Sequence, residues 1–163
     1  MRALTETDIR GSMVNTAPGE AERMPLPGLH EVLWNQREYL GWRDPSSPHR
    51  GYLAYWRDDT AVGIGLRASE VRLRAGSAIC SLCHTSQPAG QVTMFGATRA
   101  GEAGRRGDSV GTYICADLAC SLLIRIAPPP SPFHPDVEDL VAERAAGLRA
   151  RLDGFVTRIL AAA

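Results

Sequence analysis

Cys80, Cys83, Cys115 and Cys120 are the four cysteines of a 163-residue chain, and their spacing is that of a metal site. Two residues separate the first pair, which places both sulfurs on one tight turn where they can converge on a single ion at about 2.3 Å. Four residues separate the second pair, which suits the end of a strand followed by the first turn of a helix. Four thiolates favour a soft or borderline ion in tetrahedral geometry, and zinc fits best. A closed shell leaves no position for water or substrate, so the expected role is one structural Zn2+ and not a catalytic one. A reduced redox pair and a disulfide framework are the competing readings; the second suits an oxidising compartment. His84, next to Cys83, is a further nitrogen donor, but four thiols already complete the shell.

The elements that must bring the two pairs together follow from the intervening 31 residues. Gln91 to Phe95 and Ser109 to Ile114 read as two strands of a hairpin, and Ala116 to Ile126 as a helix beginning beside Cys115. Knuckle, hairpin and helix in that order predict a treble clef. Ahead of it, Tyr52 to Trp56 and Val62 to Leu66 flank Arg57-Asp58-Asp59-Thr60 as another hairpin. Residues 5 to 12 predict a short helix capped by Thr5 or Thr7, Leu29 to Leu40 an imperfect helix stopped by Gly41, and Gly41 to Pro45 a turn. Prolines from Pro128 to Pro135 enforce an extended linker. Val137, Leu140, Val141, Leu148, Leu152, Phe155, Val156 and Ile159 then recur at spacings of three and four, which predicts an amphipathic helix to the C-terminus. The fold class expected is α+β, with small antiparallel sheets, flanking helices, a four-cysteine treble-clef zinc finger and a long C-terminal helix. It divides into an N-terminal α/β part (1–75), a zinc module (76–127), a proline-rich linker (128–135) and the helix (136–163).

Composition bounds the function. A hydrophobic content of 44% over this length supports one core. Eighteen basic and eighteen acidic residues cancel, which gives no reason for bulk attachment to nucleic acid or membrane. The first residues lack a signal-like apolar run, and no segment has the length of a membrane span, so a cytoplasmic location is expected. There thiols stay reduced, which again favours metal over disulfide. The loop Arg99 to Asp108, with three glycines and three arginines, is a candidate contact region offering forked donors to carboxylate or phosphate; a solvated hairpin tip is its bland alternative. It lacks the Gly-Lys-Ser/Thr ending of a phosphate-binding loop. His30, His49 and His134 have no partners at metal or triad spacing, and no acid, base and nucleophile set is readable, so no enzyme and no small-molecule substrate are expected. Trp34, Tyr39, Trp42, Tyr52, Tyr55 and Trp56 read as core, with a stacking platform for single-stranded nucleic acid as the sharper alternative.

The run Ile79-Cys80-Ser81-Leu82-Cys83-His84, then Met94-Phe95, Gly104-Arg105-Arg106-Gly107 and Val110-Gly111-Thr112-Tyr113-Ile114-Cys115-Ala116-Asp117-Leu118-Ala119-Cys120-Ser121 resembles the C-terminal treble-clef zinc-finger (FBP) domain of the elongation-factor-G-binding proteins, the FusB-type fusidic acid resistance family. Tyr39 to Pro45 and Val62 to Arg67 resemble the flanking region of its actinobacterial members, and the match runs from about residue 8 to 160 as a single domain. The resemblance implies a binding protein that grips elongation factor G and helps it leave the ribosome. The four cysteines carry over as zinc ligands. Phe95, the arginines Arg99, Arg105 and Arg106, and Arg125 are the contact residues it points to. The resistance proteins carry a helical bundle ahead of this domain for which the chain has no room, so a housekeeping role in translation is expected alongside a resistance role. A ribosome- or RNA-binding zinc finger and a zinc-thiolate redox sensor are the alternative functions.

Overall fold

The structure is a computed structural model that describes residues 1–71, 76–129 and 136–161. Glu6–Gly11 forms α1, and Thr5 caps it reciprocally: the Thr5 hydroxyl accepts from the Asp8 amide while the Asp8 carboxylate accepts from the Thr5 amide. A single turn, α2 (Glu20–Arg23), follows. The helix expected over Leu29 to Leu40 is absent; two 3-10 turns, Leu29–Glu31 and Trp34–Gln36, stand there instead. The segment expected to turn at Gly41 is extended and forms β1 (Leu40–Asp44). The reversal comes one step later, where Asp44 Oδ1 accepts from the amides of Ser46 and Ser47 at 2.8 and 3.1 Å.

β1 leads into β2 (Ser47–Arg57) and β3 (Thr60–Ala68), the latter pair joined through Asp58 in the left-handed region. β4 (Ser77–Ile79) and β5 (Ser86–Pro88) form a small separate hairpin. β6 (Val92–Thr98) and β7 (Ser109–Cys115) then complete a five-stranded sheet of order β1-β2-β3-β6-β7. Neighbouring strands in it are antiparallel, and β3 meets β6 through Arg67 opposite Gly96 and Ala68 opposite Phe95. The sheet therefore runs continuously from the residues before position 75 to those after it. The loop between β6 and β7 contains a short helix, α3 (Gly101–Arg105), where a loop was expected. Glycine is required at position 104, because a side chain there would run into the Arg99 carbonyl.

The helix expected over Ala116 to Ile126 shrinks to α4 (Cys120–Leu123). Leu118 takes a left-handed backbone, and its amide donates to the Cys115 carbonyl at 2.9 Å, so the chain turns back before a helix can start. After the linker, of which residues 130–135, His134 included, lie outside the described residues, α5 (Val137–Leu160) begins with Asp136 as its cap.

Both faces of the central strands are covered. Leu148, Leu152, Phe155, Val156 and Ile159 of α5 are buried in one cluster with Leu53, Ile64, Phe95, Ile114 and the four cysteines. On the opposite face Leu4, Ile9 and Met24 pack with Leu40, Trp42 and Tyr52. This explains why β2 is buried at five successive residues, Gly51 to Tyr55, without the alternation of a one-sided strand. The N-terminal segment lies so close to β3 that a Cβ on Gly63 would sit 2.5 Å from Met13 Sδ. Tyr39, Trp42, Tyr52 and Tyr55 are core residues, as composition led us to expect, while Trp34 and Trp56 are half-buried.

Candidate metal centre

The first half-site is a turn at the tip of the β4–β5 hairpin. Cys80 follows β4, and the Leu82 and Cys83 amides both point at its sulfur, at 3.4 and 3.5 Å. The His84 amide closes the turn on the Cys80 carbonyl at 2.9 Å, with His84 in the left-handed region. Two further contacts fix the knuckle. The Ser81 amide donates to the Tyr113 carbonyl of β7 at 2.7 Å, and Arg151 of α5 donates through Nε to the Leu82 carbonyl at 2.6 Å.

The second half-site is the end of β7 and the start of α4, as the four-residue spacing led us to expect. The left-handed Leu118 supplies the reversal between them. Ala119 is held by donating its amide to Asp117 Oδ1 at 3.0 Å.

All four sulfurs lie within 4.8 Å of one another. Cys80 and Cys120 are 3.6 Å apart, Cys83 and Cys115 3.6 Å, and Cys115 and Cys120 3.4 Å. A tetrahedron with metal–sulfur bonds of about 2.3 Å has edges of roughly 3.8 Å, so these sulfurs already stand near the corners of such a shell. None of them is in a disulfide. Three are fully buried and Cys83 is 6% exposed.

The four sulfurs also shift one another's protonation. Contact with the Cys115 and Cys120 thiols lowers Cys80 to about 7 and pulls Cys83 down as well. Cys120 is pushed up by its sulfur neighbours and by burial. Cys115 is raised because contact with Cys80 and Cys83 and burial outweigh the thiol donated by Cys120. Four negative charges cannot share this volume unless a cation neutralises them. Gln87, itself buried, donates Nε2 to the Cys115 sulfur at 3.2 Å. Such an outer donor is what a thiolate shell requires. The residues fit one zinc ion with a structural role. His84 is exposed and outside the cluster, as are His30 and His49.

The residues the family resemblance pointed to as contacts are scattered. Phe95 is fully buried, 4.9 Å beneath the Arg43 guanidinium, and offers no surface to a partner. Its alternation within β6 places it on the core face. Arg125 is occupied in a bidentate pair with Glu38 and donates to the Ser121 carbonyl as well. That pair was invisible in the sequence, since nothing local links positions 87 residues apart. Arg99, Arg105 and Arg106 do lie together around α3: Arg99 is half-buried, whereas Arg105 and Arg106 are exposed. Arg105 pairs with Glu102 one helical turn away at 2.6 Å. Among the described residues no helix is long and apolar enough to cross a membrane.

Comparison with known proteins agrees with this geometry. The structure of the fusidic acid resistance protein FusC is similar to this one, with a TM-score of 0.51 at 17% identity, covering 87% of this chain and 57% of FusC. The chain thus spans less than two thirds of that protein's length. No curated protein matches the sequence. The family model for the FBP C-terminal treble-clef zinc-finger matches residues 8–159, nearly the whole chain, and with its four converging sulfurs this protein belongs to that family.

Proposed function

We propose that this protein is a non-catalytic, zinc-stabilised binding module that grips elongation factor G, acting in the cytoplasm at the ribosome in the manner of the fusidic acid resistance proteins. The observation that carries the reading is the match to the FBP domain over residues 8–159. The fold shared with FusC supports it. Burial of all four sulfurs favours a structural metal over a redox sensor, whose thiols need to be reached by oxidant. The gripping surface we assign is the α3 loop, where Arg105 and Arg106 stand exposed at the end of the β6–β7 hairpin opposite Cys115.

Retention of purified elongation factor G by the immobilised zinc-loaded protein tests this. Binding at micromolar concentration that persists at moderate salt supports it, and no retention overturns it. If ribosomal RNA is retained instead, with affinity falling steeply as salt rises, the arginine loop serves an RNA backbone and the protein-binding reading fails.

A further inference from the structure

A zinc ion with four thiolates carries a net charge of −2, and this shell is buried. Such a charge is tolerated where N–H and O–H groups point at the sulfurs. Cys80 has the Leu82 and Cys83 amides, and Cys115 has Gln87 Nε2. Among the described residues, neither Cys83, which is 6% exposed, nor the fully buried Cys120 receives an N–H or O–H donor; the Cys120 sulfur meets those of Cys80 and Cys115.

One unused donor stands beside it. The Tyr39 hydroxyl is buried and has no hydrogen-bond partner, although the side chain belongs to the cluster that contains Cys80, Cys115 and Cys120. A buried hydroxyl without a partner is costly and calls for an explanation. Its surroundings supply one. The ring lies against the turn that carries Cys120, since a Cβ built on Gly41 would be 2.8 Å from both Tyr39 Cε2 and Leu118 Cβ, and Glu38 beside it is bonded to Ser121 beside Cys120, so the side chain is held at the thiol cluster.

The backbone around Tyr39 is built to hold that ring in place. The Glu38 amide donates to Ser121 Oγ at 3.0 Å, and the Glu38 carboxylate clamps Arg125, which fixes the segment against α4, the helix that begins with Cys120. Gly41 leaves the space the ring needs, since a Cβ there would stand 2.8 Å from Tyr39 Cε2.

We propose that Tyr39 is a positioning residue of the metal centre, donating its hydroxyl to the Cys120 thiolate when zinc is bound. It ties the start of the sheet to the metal shell, so the N-terminal part of the chain contributes to zinc retention. Gln87 performs the same service for Cys115 and is the internal standard for its size.

The test is Tyr39→Phe, which keeps the ring and removes only the hydroxyl. Removing an outer-shell donor typically weakens metal binding by roughly 10- to 100-fold. We expect zinc affinity, measured by competition with a chromophoric chelator, to fall by about tenfold or more. The sulfur-to-metal charge-transfer band of the cobalt-substituted protein should shift as well, because a thiolate that loses a hydrogen bond becomes a stronger electron donor. Val156→Ala, a core truncation, sets how much affinity follows from stability alone. Unchanged affinity with an unchanged band overturns the proposal. So does a loss no larger than that of Val156→Ala with the band unmoved, which is the mark of a purely structural side chain. The cadmium-113-loaded wild type gives a reading that needs no variant. A hydroxyl proton showing scalar coupling to the metal supports the bond, and its absence in a spectrum where the Leu82 and Cys83 amides do couple excludes it.

Discussion

Arg125 holds Glu38 through two parallel hydrogen bonds, Nη1 to Oε2 at 2.9 Å and Nη2 to Oε1 at 2.8 Å, and so joins the segment before β1 to the end of α4. The Glu38 side chain is 4% exposed and that of Arg125 22%. Burial alone would raise the Glu38 pKa, but the Arg125 hydrogen bonds and charge outweigh it and hold the carboxyl below its ordinary 4.5. The unfolded chain therefore binds the proton more readily than the folded one. Stability from this pair is fully present above pH 4.5 and is lost as pH falls through the lower folded value. Arg125→Ala should cost roughly 3 kcal/mol at pH 7, the low end of the range for breaking a buried pair, since Arg125 keeps some solvent. Glu38→Gln should be destabilised in the same direction, and its deficit in urea unfolding should shrink as pH falls below 4.5. A deficit independent of pH would mean that shape, not charge, holds the two segments together.

Metal removal should unfold the zinc module and with it the core, because the sulfurs belong to the same buried cluster as Phe95, Ile114 and Leu152. Structural zinc contributes on the order of 10 kcal/mol in small peptides, comparable with a domain's whole stability. Elemental analysis should find one zinc per chain. Cys115→Ser should lower that content and abolish cooperative melting, and a chelator should do the same to the wild type. A variant that lost its zinc and still melted cooperatively at the wild-type temperature would show that the hydrophobic core suffices.

Gly41→Ala tests the closest approach between β1 and the metal-bearing turn. The added methyl would lie 2.5 Å from the Leu118 carbonyl oxygen and 2.8 Å from Tyr39 Cε2. Neither the turn backbone nor the buried ring can give way freely, so the strand must shift. A cost of about 1–3 kcal/mol follows, as for other overpacked sites. Because Leu118 supplies the reversal between Cys115 and Cys120, zinc release should quicken in parallel. Gly90→Ala, where a Cβ meets nothing within 4 Å, is the control and should leave both quantities alone.

These relationships mark what could be read in advance. Cysteine spacing obeys a local rule, so the two half-sites were legible, as were the hairpins and the stripe of α5. Gly41-Trp42-Arg43-Asp44-Pro45 has turn composition but forms a strand, because Gly41 answers to the Leu118 carbonyl far along the chain and not to its own neighbours. Good helix formers from Ala116 onward suggested a long helix; the left-handed Leu118 and the need to return Cys120 to Cys115 override that propensity. β4 and β5 are three residues each, too short to carry a period. Phe95 illustrates the opposite error, in which a residue singled out by family likeness proves to be core. Glu38 gave no local signal, since Ser121 on α4 and Arg125 just beyond it are brought near only by the completed fold.

Arg105→Ala with Arg106→Ala separates gripping from folding. Arg106 is exposed, and the ion pair of Arg105 with Glu102 leaves the two side chains 71% and 65% accessible. An exposed pair of this kind contributes little to stability. Gly101 and Gly107, both at positive φ, and the Ala100 amide bonded to the Ile159 carbonyl at 2.9 Å hold the loop's backbone without either arginine. The double variant should therefore melt within about 0.5 kcal/mol of the wild type and keep its zinc, while its retention of elongation factor G falls. Arg151→Ala serves as the contrast: it removes the donor to the Leu82 carbonyl, so it should loosen the knuckle and quicken zinc release without touching the α3 loop. If the loop variant lost zinc as readily as Arg151→Ala, the α3 arginines would be part of the scaffold, and the gripping surface would have to lie elsewhere.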